Sequence, residues 1–158
     1  MDLKGKKLVL VGGAGLIGSH TTDQLLKEDV KEIIIYDNML RGSVENLYNA
    51  MKDPRVKIYD VGGDIMQADI LHSALDGADG VFHFAALWLL QCHDYPRSAF
   101  DVNIRGTFNI MEACVAKNVK RLVYSSSASV YGDAVSEPMD ENHPFNNKNF
   151  YGATKIAG

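Results

Sequence analysis

The stretch Leu8-Val9-Leu10-Val11-Gly12-Gly13-Ala14-Gly15-Leu16-Ile17-Gly18 decides the fold of this chain. Its leading apolar residues predict a buried strand, and the glycines after them predict a sharp turn into a helix. Gly13-x-Gly15-x-x-Gly18 fits a dinucleotide-binding fingerprint, and Gly12-x-x-Gly15-x-x-Gly18 overlays it on the same residues. Glycine is needed where the backbone turns, approaches a pyrophosphate and packs a helix closely on a sheet. The positive end of that helix would then face the phosphates.

An acidic residue follows at the spacing that such a site requires. Asp37 lies nineteen positions after Gly18, at the end of the second predicted strand. Its carboxylate can accept hydrogen bonds from the adenine-side ribose hydroxyls and would repel a 2′-phosphate. We therefore expect NAD rather than NADP, with Arg41 as the one nearby cation that could soften this preference. The alternative is that Asp37 only turns the chain before Asn38, as Asp does after many strands.

Strands and helical patterns alternate along the rest of the chain. We predict strands at residues 7–11, 32–36, 56–59, 80–84 and 121–125, and helices at residues 16–27, 67–75 and 99–117. This alternation predicts an α/β fold built on a doubly wound parallel sheet, with the nearly continuous apolar runs at its centre. Residues 134–149 contain Pro138, Pro144 and several asparagines, so we expect an irregular, mobile loop there.

Composition narrows the class of protein. A chain of 158 residues that is 46% hydrophobic can form one domain with its own core. The net charge of -4 gives no overall attraction to nucleic acid or to an anionic membrane. The apolar run after the first lysines is too short for a signal peptide or a membrane span, so we expect a cytoplasmic protein. Cys92 and Cys114 have neither paired spacing nor a histidine cluster, which predicts reduced thiols and no metal site.

A second pattern lies at the end of the chain. Tyr151 and Lys155 are four residues apart, so on a helix their side chains share one face. A cation beside a phenol stabilises the phenolate and makes the tyrosine a usable base near neutral pH. The spacing alone is common, but the serine-rich segment 125–132 follows a predicted strand, where ligands bind in a doubly wound sheet. Together they predict a proton-transfer site.

At this point the chain resembles the extended short-chain dehydrogenase/reductase family, in particular its NAD-dependent nucleotide-sugar epimerases such as UDP-glucose 4-epimerase. The matching pieces occur in the same order along nearly the whole chain: Gly12 to Gly18, Asp37, Gly63-Asp64-Ile65, His83-Phe84-Ala85-Ala86, Asn103 with Gly106-Thr107, Ser125 to Gly132, and Tyr151 with Lys155. Trp88 and the rest of residues 87–92 match no part of the family pattern. Those residues either shape the substrate side of the pocket or simply pack.

The resemblance implies a role for each matching residue. Tyr151 would be the catalytic base, Ser127 the catalytic serine, and Lys155 would also grip the nicotinamide ribose. Asn103 would support the helix that carries the active site. His83 lies in a buried strand, and we expect it to pack in the core rather than to act in catalysis. Asp64 and Ile65 would flank the adenine ring, and Ala85 and Ala86 would line the cofactor groove. The other implied cofactor-binding residues are Gly12, Gly15, Leu16, Ile17, Gly18, Asp37, Asn38, Phe84, Asn103 and Lys155.

The implied reaction is the reversible oxidation of a sugar hydroxyl. Tyr151 would remove the hydroxyl proton while the carbon-bound hydrogen leaves as hydride to the nicotinamide, and an epimerase would return that hydride to the other face of the ketone. Relatives that dehydrate or decarboxylate carry an extra carboxylate before Val-Tyr-Gly, where this chain has Ala128 and Ser129. We therefore rank a 4-epimerase first, a dehydrogenase or reductase of the same family second, and a dehydratase well behind. A module that binds NAD without turnover is the alternative from another class.

Length and partners complete the expectations. Members of the family are about twice as long, so residues 1–158 would form an NAD-binding Rossmann domain that lacks its last strands and the C-terminal substrate domain. We expect little or no activity of this chain alone. The expected partners are a nucleotide sugar, most simply a UDP-sugar, and a second copy in a homodimer. The helix predicted at residues 99–117 is the candidate dimer surface, and the alternative is that this helix only packs on the sheet.

Overall fold

The computed structural model describes residues 2–158, and these divide into two units. Unit 1 comprises the chain up to Ala85 together with Asn109–Ser125. Unit 2 comprises Ala86–Phe108 and Ser126–Gly158. The glycine-rich stretch and Asp37 belong to unit 1, whereas Ser127, Tyr151 and Lys155 belong to unit 2.

Unit 1 is built on a five-stranded parallel sheet with the strand order β3-β2-β1-β4-β5. The strands are β1 (Lys7–Val11), β2 (Glu32–Tyr36), β3 (Val56–Ile58), β4 (Gly80–His83) and β5 (Arg121–Tyr124). In the register, Leu8 lies opposite both Ile33 of β2 and Gly80 of β4. The predicted parallel sheet is confirmed, and the most continuous apolar runs do form its three central strands.

Both faces of the central strands are buried, which explains their nearly continuous apolar sequence. Alternate residues of β1 and β2 enter a core cluster on one face, which contains Leu8, Leu10, Ala14, Leu25, Val30, Ile33, Ile35, Leu47, Ala50 and Val56. The intervening residues Val9, Val11 and Tyr36 are equally inaccessible on the other face. β5 differs, because its residues are exposed or half-buried along its whole length.

The helices of unit 1 begin and end close to the predicted bounds. α1 is Leu16–Leu25 and α2 is Ala68–Ala74. Two 3-10 turns, Val44–Leu47 and Ala50–Lys52, lie between β2 and β3, where the sequence pattern had predicted no regular structure. Each turn places one apolar residue, Leu47 or Ala50, into the core cluster. Turns this short have too few residues to produce a detectable periodicity.

The predicted helix at residues 99–117 is longer and less regular than its pattern indicated. It consists of α4 (Pro96–Phe100), a π-helical turn (Asp101–Gly106) and α5 (Thr107–Ala116). The helix begins three residues early because proline suits the first turn, where its missing N–H group is no loss. Three large apolar residues of this helix, Phe100, Phe108 and Val115, are exposed, whereas Ala99 and Ile110 are buried.

Unit 2 contains two further helices, a 3-10 turn and a long irregular loop. α3 is Leu89–Asp94, and α6, which carries Tyr151 and Lys155, is Phe150–Ala157. A 3-10 turn at Ala128–Val130 follows Ser127. The predicted irregular segment at residues 134–149 has neither helix nor strand. Its buried residue His143 accepts a hydrogen bond from the Val135 backbone N–H at 2.9 Å.

Candidate functional site

The glycine-rich loop of unit 1 is shaped by close backbone contacts. Gly12 has a φ angle of +80°, and a Cβ atom on it would stand 2.5 Å from the backbone nitrogen of Ala85. A Cβ atom on Gly18 would stand 2.5 Å from the Gly12 carbonyl oxygen. Gly15 is the N-cap of α1, and there an added Cβ atom would make only an ordinary contact of 3.5 Å. Close packing therefore requires glycine at positions 12 and 18. At Gly15 packing does not require glycine, and the absence of a side chain leaves the N-terminus of α1 accessible.

The start of α1 has the properties expected of an anion site. The first N–H groups of a helix have no intrahelical acceptors and carry the positive end of the helix dipole. The side chains of Leu16 and Ile17 in this first turn are both exposed. The loop thus offers backbone donors at an accessible surface, which is the chemistry that a diphosphate requires.

Asp37 lies beside this loop at the end of β2. Its Oδ2 atom accepts a hydrogen bond from the Ala14 backbone N–H at 2.9 Å, and its Oδ1 atom accepts one from the Met39 N–H at 2.9 Å. Asp37 therefore does turn the chain, as the alternative interpretation held. Each carboxylate oxygen has a second lone pair, so the same group retains capacity to accept from a ligand hydroxyl. Asn38, the next residue, is exposed.

The segment Gly63-Asp64-Ile65 is docked against the end of β2. A Cβ atom on Gly63 would overlap the carbonyl of Asp37. The hydroxyl of Tyr36 donates to the Asp64 carbonyl at 2.8 Å, and Ile65 is buried, with its carbonyl accepting from Asn109 Nδ2 at 2.9 Å. Burial, aided by the Asp64 carboxylate and Tyr59, raises the pKa of Tyr36 to about 12, so that this hydroxyl stays protonated and keeps donating.

Residues at the end of β4 close the other side of the glycine-rich loop. The backbone N–H groups of Phe84 and Ala85 both donate to the Val11 carbonyl, at 2.8 and 3.1 Å. His83, one residue earlier, is fully buried, and its ring centroid lies 5.2 Å from that of Tyr124. This position is the one expected of a packed core histidine. Ala86, which begins unit 2, is half-buried.

In unit 2, Asn103 of the π-helical turn ties three segments together. Its Oδ1 atom accepts from the Leu87 N–H at 2.7 Å, and its Nδ2 atom donates to the Leu87 carbonyl at 3.0 Å. The same Nδ2 atom also donates to Thr154 Oγ1 on α6 at 3.0 Å. All these contacts are buried, where hydrogen bonds are strongest and unpaired groups most costly. Asn103 therefore holds α6 next to Leu87.

The serine turn packs directly on the start of α6. Ser127 caps the 3-10 turn by accepting from the Ser129 N–H at 3.2 Å, and Asn149 caps α6 by accepting from the Gly152 N–H at 2.7 Å. A Cβ atom on Gly152 would stand 2.5 Å from the Ser129 carbonyl oxygen. The turn that carries Ser127 and the helix that carries Tyr151 are therefore in van der Waals contact.

Lys155 is the most unusual charged residue of unit 2. Its side chain is buried, with a relative exposure of 5%. Burial lowers the pKa of Lys155 to about 8, an effect opposed by its electrostatic interaction with Cys92. Tyr151 is half-buried and packs against a cluster of Leu87, Cys92 and Ala99. At pH 7 the ammonium of Lys155 is still the dominant form, and it supplies a cation inside the unit that holds Tyr151 and Ser127.

Some residues of this arrangement escaped the sequence interpretation. Leu87, Cys92 and Thr154 contact Asn103, but none belongs to a recognisable motif. Cys92 is buried, and burial raises the pKa of its thiol. In the sequence, the one sign of its position is that Cys92 follows Trp88 by four residues, which is a helical spacing. In the structure, the Cys92 N–H donates to the Trp88 carbonyl at 2.9 Å. Cys114 is likewise a free, buried thiol.

Residues 2–158 contain neither a cluster of metal-binding side chains nor a helix that could span a membrane. No group of three or more histidine, cysteine, aspartate or glutamate side chains is placed to hold a metal ion in this part of the chain. Over the same residues, none of the helices combines the length and the apolar character needed to cross a bilayer.

The geometry agrees with comparisons to known proteins. Residues 8–158 match the family model described as the NAD dependent epimerase/dehydratase family. The chain belongs to this family. It is 35% identical over 153 residues to a UDP-glucose 4-epimerase of Lactobacillus helveticus. That alignment covers 95% of this chain but 44% of the relative, so the chain spans less than half the length of the curated relatives it matches.

Solved structures of the family share the fold. A UDP-N-acetylglucosamine 4-epimerase from Methanobrevibacter ruminantium, in complex with UDP-N-acetylmuramic acid, superposes with a TM-score of 0.87 and 35% identity, over 98% of this chain and 48% of the other. A dTDP-glucose 4,6-dehydratase from Streptomyces venezuelae with NAD bound gives a TM-score of 0.88 and 32% identity, over 96% and 48%. Epimerases and dehydratases resemble this chain equally well, so backbone similarity does not separate the two reactions.

Proposed function

We propose that this chain is the NAD-binding and proton-transferring part of a nucleotide-sugar 4-epimerase, with a UDP-sugar as substrate. The observation that carries the proposal is the buried Lys155 in the same unit as Tyr151 and the Ser127 turn, within a chain of the epimerase/dehydratase family. The proposal extends to residues 1–158 acting as one NAD-binding domain. The cytoplasmic location expected from the sequence remains part of it.

The residues of unit 1 fit the adenosine diphosphate half of NAD. The amides at the start of α1 would bind the diphosphate, and Asp37 would accept from the ribose hydroxyls with its remaining lone pairs. A 2′-phosphate beside this carboxylate would be repelled, which favours NAD over NADP. Asp64, Ile65 and Ala85 lie in segments packed against β2 and β1 and would complete the binding surface. When bound, the nicotinamide supplies a reversible hydride acceptor.

The residues of unit 2 would move the proton. Tyr151 as a phenolate would take the proton of the sugar hydroxyl, and the Lys155 ammonium would lower the cost of forming that phenolate. Ser127 would donate to the same oxygen and hold it in place. Asn103 would act through Thr154, by fixing the turn of α6 on which Lys155 lies. Returning the hydride to the opposite face of the keto-sugar would invert the carbon without net oxidation.

The serine turn favours epimerisation over dehydration. Elimination of water from a keto-sugar needs a further acid or base beside the ring. Residues 128 and 129 of the 3-10 turn are alanine and serine, neither of which titrates as a carboxylate does. A dehydrogenase of the same family needs no extra acid and remains the second candidate.

A homodimer is proposed on the exposed apolar residues of α4 and α5. Phe100, Phe108 and Val115 are 47%, 55% and 79% exposed, although they are large and apolar. Contiguous apolar patches are typical of surfaces that associate, and these residues lie along one helical segment. Light scattering of the wild type and of a Phe108→Glu variant tests this: a dimer that becomes a monomer supports the surface, and an unchanged mass contradicts it.

The function is tested by following UDP-galactose and its N-acetylated analogue with NAD present, for the chain alone and for any longer protein that contains it. We expect the 158-residue chain to bind NAD with little turnover, and a longer protein with a substrate domain to form the 4-epimer without accumulating NADH. Tyr151→Phe should abolish epimer formation while leaving NAD binding intact. Accumulation of NADH without any epimer would favour the dehydrogenase, and absence of NAD binding would reject the proposal.

A further inference from the structure

Both backbone groups of Ala14, in the middle of the glycine-rich loop, are held by the segment that follows β2. The Ala14 N–H donates to Asp37 Oδ2 at 2.9 Å. The Ala14 carbonyl accepts from Asn46 Nδ2 at 2.8 Å and from the Ser43 N–H at 3.2 Å. We call Asp37, Ser43 and Asn46 the Ala14 clamp. Its three bonds join the loop to residues that lie 23 to 32 positions further along the chain.

The clamp is anchored by packing on both of its sides. Leu47, next to Asn46, is fully buried in the same core cluster as Ala14. A Cβ atom on Gly42 would stand 2.8 Å from Ala14 Cβ and 2.9 Å from Asp37 Oδ2. The segment thus lies directly against Ala14, with no room for a side chain between them. Its donors are held in place by this packing, in addition to their own hydrogen bonds.

The effect on the loop follows from the planarity of the peptide bond. The Ala14 carbonyl and the Gly15 N–H belong to one rigid peptide group, so fixing the oxygen also fixes the direction of the N–H. The bond to Asp37 fixes the preceding peptide group, Gly13–Ala14, in the same way. Gly15 is the N-cap of α1, and glycine as a residue type can adopt many backbone conformations. The clamp restricts these conformations at the start of the proposed diphosphate site.

We propose that Asn46 is a positioning residue for the diphosphate of the cofactor, acting through the Ala14 carbonyl. The inference rests on the proposed NAD site and adds a residue outside the glycine motif to it. Without the Asn46 amide, the Ala14 carbonyl keeps only the Ser43 N–H, and the Gly15 N–H of the same peptide group keeps a long bond of 3.4 Å to the Gly12 carbonyl. The peptide group is then held less firmly, and cofactor binding must order the loop at the expense of affinity. Asp37 belongs to the same clamp, so the loop and the ribose-binding carboxylate are ordered together.

An isosteric pair of variants tests the role of the Asn46 donor. Asn46→Asp keeps the shape but removes the donor and places a carboxylate against the Ala14 carbonyl. Asn49→Asp is the matched control: it introduces the same charge three residues away, and its Oδ1 atom can still accept from Lys52 Nζ. We expect Asn46→Asp to raise the Kd for NAD about tenfold, whereas Asn49→Asp stays within about twofold. Asn46→His, which restores a donor close to the same point, should recover most of the affinity.

A local measurement separates positioning from general destabilisation. Amide hydrogen exchange should become faster at Gly15 in Asn46→Asp, with exchange in β1 unchanged. If the wild type binds NAD and Asn46→Asp binds it within about twofold, the inference is wrong. Failure of the wild type to bind NAD would instead reject the proposed function. Should Asn46→Asp not fold, Asn46→Ala removes the same donor without adding charge, and the same criteria apply.

Discussion

The glycine-rich loop of unit 1 and the residues of unit 2 that we propose for proton transfer are held by different kinds of contact. In the loop, Gly12 and Gly18 sit where backbone atoms leave no room for a side chain. In unit 2, the amide of Asn103 bonds to Leu87, 16 positions earlier, and to Thr154, 51 positions later. The first arrangement depends mainly on close packing against backbone atoms, and the second on buried polar side chains brought from distant parts of the chain.

This difference predicts different sensitivities. The loop leaves no room for an added atom at Gly12 and Gly18, but it contains no buried charge. A site fixed by buried polar groups loses stability when one partner is removed, and it carries the cost of burying an ammonium group.

The largest effect is expected at Gly12. Gly12→Ala adds a Cβ atom 2.5 Å from the Ala85 nitrogen at a φ angle of +80°, so steric overlap adds to backbone strain. Gly77→Ala is the matched control, because Gly77 has a φ angle of +69° but nothing within 4 Å of the new atom. We expect losses in the free energy of unfolding of about 4 kcal/mol for Gly12→Ala and about 1 kcal/mol for Gly77→Ala. Equal losses in urea titrations would show that conformation, and not close packing, requires glycine here.

The next effect concerns the buried ammonium of Lys155. Its pKa is lowered to about 8 from an ordinary value of 10.5, so between these pH values the unfolded chain binds more protons than the folded one. The free energy of unfolding should therefore rise with pH across this window, by up to ~3 kcal/mol, and the penalty is present in full below pH 8.

Lys155→Met removes this penalty. The variant should be more stable than the wild type at pH 7 by up to ~3 kcal/mol, and the advantage should vanish by pH 10.5. Lys27→Met is the matched control, because it removes an exposed ammonium and should give no gain in stability at pH 7. If the stability difference between Lys155→Met and the wild type does not change between pH 7 and 10.5, the ammonium is not buried in solution.

The same contrast explains what could be predicted from the sequence. The bounds of β1 and β2, the parallel sheet and the start of α1 directly after Gly15 all follow from local patterns of apolar residues and glycines. Asp37 could be placed beside the loop, because a fixed spacing along a βαβ unit determines where it lies. Tyr151 and Lys155 could be assigned to one helix, since four residues make about one turn.

What could not be predicted depends on contacts between distant residues. A lysine at a helical spacing from a tyrosine is usually exposed, and its burial here results from packing that no local pattern encodes. The same holds for Leu87 and Thr154, because only their hydrogen bonds to Asn103 connect them with the candidate site. The Ala14 clamp could not be predicted from the sequence, because Asn46 lies in a 3-10 turn that is too short to produce a recognisable pattern.

A smaller effect separates the two asparagines that brace each unit. Asn103→Ala leaves three buried partner groups of Leu87 and Thr154 without this amide, whereas Asn109→Ala removes a single half-buried bond to the Ile65 carbonyl. We expect the free energy of unfolding to fall by about 2 kcal/mol for Asn103→Ala and by about 1 kcal/mol for Asn109→Ala. Thermal unfolding at one pH measures both. A larger loss at Asn109 would contradict the view that unit 2 depends more on its buried polar groups.

The smallest effect is expected in the irregular loop between the serine turn and α6. His143 Nε2 accepts from the Val135 N–H at 2.9 Å, so its proton is on Nδ1, which donates to the Pro144 carbonyl at 2.9 Å. His143→Phe keeps the edge-on contact with Tyr131 but loses both bonds. We expect a loss of about 1 kcal/mol and faster proteolysis within residues 134–149. The exposed His93, changed to Phe, should leave the cleavage rate unchanged. If both variants are cleaved like the wild type, the two bonds do not order the loop, and close packing alone, as at Gly132 against the Asn146 carbonyl, must do so.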